Sequence, residues 1–393
     1  MISVDDALAK LLALVSPLEA ETVPLRAAAG RVLAREVRAR RTQPPFDASS
    51  MDGYALRRND LSPDARFDVI GEAAAGHGFD GSVGPGQSVR IFTGAPVPRG
   101  ADMVVIQEDV TRDGDRIAIS GKLDGKSNIR PAGSDFHEGD SLSAPRRLTP
   151  SDVALLAAMN IAEVPVARKP VIALLATGDE LVLPGEAPGP DQIIASNSFG
   201  LAALLEELGA TARLLPVARD TSASLAAAFA LAEGADLLVT IGGASVGDHD
   251  LVGGVAAELG MKQSFYKVAM RPGKPLMAGN LKGLPMLGLP GNPVSAMVCG
   301  TVFLAPMVRV MQGFAPEAAP RTTGALAQDI PANGPREHYM RARLGPDGLS
   351  VFGSQDSSLL TVLSEADALL VRPPGDPARV SGDTVDVIML RNY

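Results

Sequence analysis

Three glycine-rich turns carry the residues best suited to chemistry. The first, Gly242-Gly243-Ala244-Ser245-Val246-Gly247-Asp248-His249-Asp250, follows the apolar run Leu237 to Ile241. The second is Met270-Arg271-Pro272-Gly273-Lys274-Pro275, and the third is Leu289-Pro290-Gly291-Asn292-Pro293-Val294-Ser295-Ala296. Buried strands ending in such turns gather backbone N–H groups at one rim of a sheet, where unpaired donors and partial positive charge hold anions. Arg271 and Lys274 add full charges on a backbone restricted by prolines, an arrangement suited to gripping a tetrahedral oxyanion, and Lys267 is near enough in sequence to join them. Asp248 and Asp250 offer hard oxygen donors to a divalent cation such as Mg2+, better matched to it than the imidazole of His249. Thr177-Gly178-Asp179-Glu180-Leu181 follows the apolar run 171–176 and puts two acids at the same rim.

Each feature has a plain structural reading as well. The Gly242 turn is a common strand-to-helix connection capped by Asp248, and the Arg271 turn is an exposed basic loop. Asn292-Pro293 makes a good helix start, and Asp179-Glu180 are acids favoured at a helix N-terminus. Ser50-Met51-Asp52-Gly53-Tyr54-Ala55 and Thr93-Gly94-Ala95-Pro96-Val97-Pro98 read as turns from pattern alone.

The elements that position these residues follow from periodicity. Residues 170–311 alternate strands (171–176, 213–217, 237–241 and two more) with helices (198–208, 222–233, 251–259 and a long one from Pro293). This predicts a parallel sheet covered on both faces, with ligands at the carboxyl ends of its strands. Residues 4–15 predict an amphipathic helix capped by Ser3, and 25–35 a second helical run. Residues 42–47 read as an extended crossing, and 67–145 as a small β domain with strands at 88–92 and 103–107 and a hairpin at Asp113-Gly114. A helix at 149–159, capped by Thr149 and Pro150, is expected to return to the first helices, making the β domain an insertion. Residues 320–393 predict a closed or sandwiched β domain, with a turn at Pro346-Asp347-Gly348 and a strand at 384–390.

The 393 residues carry 36 basic and 45 acidic side chains, a net charge of −9, with no long basic run. That excludes a nucleic-acid backbone as the main partner and makes any anion site a local exception. Cys299 stands alone, which excludes intrachain disulfides and cysteine-rich zinc sites; it is expected to be a small core residue. The apolar stretch 284–311 is broken by glycines and prolines and makes a poor membrane span. The start, Met1-Ile2-Ser3-Val4-Asp5-Asp6, lacks the basic region of a signal peptide, so a cytoplasmic protein is expected.

In this order the motifs resemble the MoeA family, the molybdopterin molybdenumtransferases, relatives of the gephyrin E domain and its plant counterpart. The likeness starts at Pro45-Phe46-Asp47-Ala48-Ser49-Ser50-Met51-Asp52-Gly53-Tyr54-Ala55 and continues through Phe92 to Pro98, Ala176 to Leu181, Gly242 to Asp250, Pro272 to Pro275 and Leu289 to Ala296. It covers nearly the whole chain. The resemblance implies a multidomain α/β-plus-β architecture. Residues 1–41 and 139–167 would form a mixed, partly helical domain, with 42–138 as the inserted β domain. Residues 168–317 would form a doubly wound α/β, molybdopterin-binding domain, and 318–393 a small C-terminal β-barrel.

The implied activity is insertion of molybdate-derived molybdenum into adenylylated molybdopterin, with Mg2+ and release of AMP. The active cleft would lie between the subunits of a homodimer, one giving its α/β and C-terminal domains and the other its inserted β domain. Catalytic positions carried over by motif are Asp52, Thr93, Asp135, Glu180, Asp220 and Asp250. Lys267, Arg271, Lys274, Pro275, Arg341 and Ser357 would bind molybdate. Thr177, Gly178, Gly242, Gly243, Ser245, Gly247, Gly291, Asn292 and Pro293 would bind the pterin phosphate, and Glu180, Asp248 and Asp250 the metal ion. Arg271 stands where lysine is common, exchanging a point charge for a planar fork. Ser134 stands where glutamate is usual. Implied partners are the upstream adenylyltransferase and downstream apo-molybdoenzymes or chaperones, with no nucleic acid or membrane. The alternatives are a tungsten-selective paralogue, the adenylyltransferase itself and a non-catalytic gephyrin-like scaffold.

Overall fold

Along the strand Val171–Ala176, successive side chains enter opposite cores. Ile172 and Leu174 join one cluster and Ala173 and Leu175 another, because a strand presents alternate residues to its two faces. Leu237–Ile241 repeats the pattern, with Leu237, Val239 and Ile241 on one side and Leu238 on the other. The helices Asn197–Glu207 and Pro293–Cys299 supply the first core, and Ser222–Ala230 and Leu251–Glu258 the second, so the sheet is covered on both faces as expected.

The computed structural model describes residues 1–121, 123, 125–243 and 251–391. Its contacts gather into two compact units, one of residues 1–21, 30–34 and 166–393 and the other of residues 22–29 and 35–165.

In the first unit the central sheet has six strands, in the order Thr211–Leu214, Val171–Ala176, Leu237–Ile241, Leu284–Leu289, Met277–Leu281, Met261–Tyr266. The first four pair in parallel. The expectation of an all-parallel sheet needs correcting, because Met277–Leu281 runs antiparallel to both neighbours. Lys282 and Gly283, both at positive φ, turn the chain tightly enough to make a hairpin in place of a helical crossover. Chain order reverses beside Val171–Ala176, whose neighbours are the next two strands of this sheet in chain order, and this is a topological switch point. Asp236 accepts from Val171 N at 2.7 Å and pairs with both terminal nitrogens of Arg168, fixing the opposite strand ends.

Helix Val4–Leu12 is capped by Ser3, whose Oγ accepts from Asp6 N at 3.0 Å, and it buries Val4, Leu8, Leu11 and Leu12 in the first core. It falls in this unit, whereas the helix Pro150–Ala158 falls in the other. The long helix Pro293–Met311 is apolar enough to cross a membrane by length and composition, yet 78% of that stretch is buried inside the protein. Cys299 lies wholly buried within it, and burial pushes its thiol up.

The C-terminal strands close a small barrel. Thr322–Ala325, Thr384–Met389, Ala368–Arg372, Glu337–Gly345 and Gly348–Val351 pair in that order, and a bridge from Leu326 to Leu349 completes the ring. Leu326, Leu349, Leu370 and Val385 fill it. Met270–Arg271 adds to its edge in parallel, setting Arg271 opposite His338.

The second unit holds a six-stranded sheet in the order Met103–Ile106, Gly53–Leu56, Gln87–Ile91, Arg66–Ala73, Arg116–Ile119, Val110–Asp113. The hairpin at Asp113-Gly114 forms as expected. Two expectations do not survive. Residues 53–55 belong to a central strand, not a turn, because Gly53 passes so close to Val105 that a Cβ would lie 2.0 Å from its carbonyl oxygen. The helical run at 25–35 is a single 3-10 turn, Leu25–Ala27; Gly30 at φ +75° breaks it, and the β-branched Val32 starts the strand Val32–Leu33, which is counted with the first unit. The helix Pro150–Ala158 begins with a reciprocal capping box between Thr149 and Asp152.

Candidate functional site

At the switch point, the ends of Val171–Ala176 and Leu237–Ile241 open onto a cavity of about 680 Å³. Thr177, Gly178, Gly242, Gly243, Gly291, Asn292 and Pro293, all expected to hold the pterin phosphate, line it together with Glu180, Asp220 and Pro275. Backbone geometry makes the room. Gly242 and Gly243 both lie at positive φ, and a Cβ on Gly243 would meet Val252 at 2.2 Å. The Thr177 hydroxyl is buried and has no hydrogen-bond partner among the described residues, so the wall ends in an unused polar group. Ser245, Gly247, Asp248, His249 and Asp250 lie outside the described residues. Among the described residues no group of three or more His, Cys, Asp or Glu side chains is arranged to hold a metal ion. Glu180 and Asp220 nevertheless bring two hard carboxylates to one cavity.

Asn292 occupies the expected N-cap position but makes no side-chain cap. Its amide instead donates to Ser357 Oγ at 3.1 Å, and the Ser357 carbonyl accepts from Val294 N at 3.0 Å. This seat is therefore built by a loop of the barrel as well as by the helix, and Ser358 of that loop lines the cavity.

The same loop reaches the cations. Arg341 has no exposed surface; its Nη2 donates to the Asp356 carbonyl at 2.9 Å, while Nε and Nη1 have no partner among the described residues. Burial and the neighbouring Arg271 charge push its guanidinium below the ordinary arginine value. A fully desolvated arginine with two unused donors is costly unless an anion completes it. Arg271 is exposed, and Lys274 and Lys267 are half-buried. The turn is tied down by hydrogen bonds from Val268 N to the Lys274 carbonyl and from Lys267 N to the Leu276 carbonyl. The Lys267 ammonium lies over the Tyr266 ring, 4.8 Å from its centroid. Pro275 is the residue of this turn that lines the cavity; Lys267, Arg271, Lys274 and Arg341 do not.

Sequence reading missed His338 and Asn197. His338 is buried with Nε2 unpartnered among the described residues. Burial first, then the charges of Arg271, Arg341, Arg372 and Arg336, push its pKa down to about 4. No local motif marks it; its environment comes from strands distant in sequence. Asn197 lines the cavity and donates to the Gly291 carbonyl at 2.6 Å. The Ser196-Asn197-Ser198 run at a helix start was the available signal.

The second unit holds another constellation. Asp52 Oδ1 accepts from both the backbone N and the hydroxyl of Thr93, each at 2.8 Å. Those two bonds hold its carboxyl below the usual range, and the Arg90 charge adds to the effect. Asp135 is exposed, its backbone N donating to the Gln43 carbonyl.

The chain matches known protein families along most of its length. Residues 2–160 match the model described as "MoeA N-terminal region (domain I and II)", residues 173–310 the "Probable molybdopterin binding domain", and residues 323–390 the "MoeA C-terminal region (domain IV)". The chain is 36% identical to a protein of Nostoc sp. named molybdopterin molybdenumtransferase, over 95% of this chain and 90% of that one. It is 38% identical to a Haemophilus influenzae protein of the same name, over 80% of this chain and 78% of the relative. A crystal structure of the molybdopterin biosynthesis MoeA protein from Pyrococcus horikosii superposes with a TM-score of 0.84 at 29% identity, covering 100% of both chains.

Proposed function

The chain belongs to the MoeA family of molybdopterin molybdenumtransferases, and from that premise we propose that it inserts molybdate-derived molybdenum into adenylylated molybdopterin, with release of AMP. The observation that carries the reading is Arg341. A buried guanidinium with two unused donors, beside the charge of Arg271, has the chemistry of an incomplete oxyanion site. Molybdate, a tetrahedral dianion, supplies the missing acceptors as substrate, and Arg271, Lys274 and Lys267 offset the repulsion from a chain of net charge −9.

The nucleotide's phosphates take the cavity at the switch point, where Thr177, Gly178, Gly242 and Gly243 bring polar and backbone groups to the wall. Glu180 and Asp220, with Asp248 and Asp250, would hold Mg2+, which when bound supplies charge stabilisation to the departing phosphate. These residues act by holding and neutralising, and water attacks the adenylate phosphorus. Asp52, Thr93 and Asp135 are read as the contribution of a second copy, which makes the working unit a homodimer, and the site of action as the cytoplasm. The four-domain division given above is part of the same proposal.

The test is AMP release from adenylylated molybdopterin on addition of molybdate and Mg2+. Release that depends on molybdate supports the reading. Formation of adenylylated molybdopterin from ATP would favour the adenylyltransferase, and no turnover beside an active relative would leave a scaffold. Tungstate in place of molybdate reads the metal preference.

A further inference from the structure

Asp52 and Thr93 stand at the ends of two paired strands. Gly53–Leu56 and Gln87–Ile91 run antiparallel, with Gly53 opposite Ile91 and Tyr54 opposite Arg90. Asp52 immediately precedes the first strand, and Phe92-Thr93 follow the second. Beyond the last pair each segment is held by few backbone bonds, Phe92 N donating to the Ala73 carbonyl at 3.1 Å and Gly94 N to the Ser49 carbonyl at 2.8 Å. Arg90 touches both. Its guanidinium lies 5.1 Å from the Tyr54 ring centroid and 4.8 Å from that of Phe92. Nη1 donates to the Gly53 carbonyl at 3.2 Å, and Nη2 to Gln107 Oε1 at 2.6 Å. Gln107 closes the circuit, since its backbone N donates to the Asp52 carbonyl at 3.0 Å.

We propose that Arg90 is a positioning residue for the Asp52–Thr93 pair, clamping through its two aromatic neighbours and Gln107 the chain segments that present the carboxylate. The inference rests on the reading of Asp52 and Thr93 as site residues. The guanidinium suits this role through its shape. It stacks on ring faces while its in-plane N–H groups point at two separate acceptors, which a lysine ammonium cannot do at once. Its positive charge also lies close enough to favour the ionised form of Asp52.

The experiment compares Arg90→Lys, Arg90→Gln, Gln107→Ala and Asp52→Asn in the full chain, with each fold checked by circular dichroism. AMP release is read for kcat and KM, and the Asp52 carboxyl is titrated by 13C NMR in the wild type and the Arg90 and Gln107 variants. Arg90→Lys is expected to lower kcat about tenfold while KM for the pterin nucleotide moves less than about twofold, the pattern of a displaced reacting group. In Arg90→Gln the Asp52 midpoint is expected to rise toward the ordinary carboxylate value, and in Gln107→Ala, which leaves the guanidinium in place, to rise less. Wild-type kcat and an unmoved Asp52 titration in both Arg90 variants, with Asp52→Asn inactive, would overturn the proposal. Full activity in Asp52→Asn would instead remove the underlying reading. The carboxyl titration needs no turnover and still reads whether Arg90 governs Asp52. If Arg90→Gln fails to fold, Arg90→Lys and Gln107→Ala decide between the same outcomes.

Discussion

The two units solve opposite problems with charged side chains. In the second unit Asp52 is satisfied from within: two donors of Thr93 converge on one oxygen, at a half-exposed position where water can complete the rest. In the first unit Arg341 is buried, with two donors unused among the described residues and a second cation nearby. The chain can hold a carboxylate cheaply at a surface by folding hydroxyl and amide groups onto it. It can hold a desolvated cation only at a cost in stability, which a bound anion recovers. An internally completed group presents fixed geometry, and an incomplete one presents affinity.

The comparison breaks most sharply at Arg341. Arg341→Met is expected to lower AMP release about a hundredfold or more, as loss of an oxyanion donor does, and to abolish molybdate binding by calorimetry. The same variant should leave unfolding free energy unchanged or raise it by about 1–4 kcal/mol, because a buried cation without an anion costs more than an apolar side chain of similar size. A large destabilisation with molybdate binding intact would show that the guanidinium is structural.

Next in size are the cavity acids. Glu180→Gln and Asp220→Asn should each lower AMP release about ten- to a hundredfold and raise the Mg2+ concentration needed for half-maximal rate. An unchanged Mg2+ dependence in both would remove them as metal ligands.

His338 extends the contrast to pH. Its pKa in the folded protein, about 4, lies below the ordinary 6.5. Between those values the unfolded chain takes up a proton that the folded one refuses, so stability falls as pH drops from 6.5 to about 4 and the effect ends below that. Denaturant titrations should show a loss on the order of 3 kcal/mol across this window, flattened in His338→Phe. Asp52 has the carboxylate pattern: its pKa is depressed, so its contribution is present above the ordinary carboxylate value and fades as pH falls through the lower folded one. The smallest effect is expected at Asn292. Removing its exposed bond to Ser357 with Asn292→Ala should cost about 0.5 kcal/mol in chemical denaturation.

Most of the fold was legible. The strands 171–176 and 237–241 and the capped helices at 4 and 150 were read with small boundary errors, because local periodicity and caps encode them. Two of the failures have a common cause. Gly53 looked like a turn residue, yet it is a glycine because a neighbouring strand passes within reach of its missing Cβ. Asn292 looked like a cap, yet its amide is used by a barrel loop that arrives from far along the chain.

The site divides along the same line. Glycines, prolines and the acids at strand ends were visible because turn chemistry depends on neighbours in sequence. His338 and Arg90 were not, since a histidine or arginine in a strand carries no local mark of what lies across from it. The amino-acid sequence by itself determined the alternating cores, the two β-rich regions and the rim of glycine turns. The tertiary structure alone decided that Arg341 is sealed from water, that Arg271 lies opposite His338, and that Asn292 reaches Ser357. Desolvation and charge proximity are set by segments that meet only after folding, and no local pattern of residue types contains them.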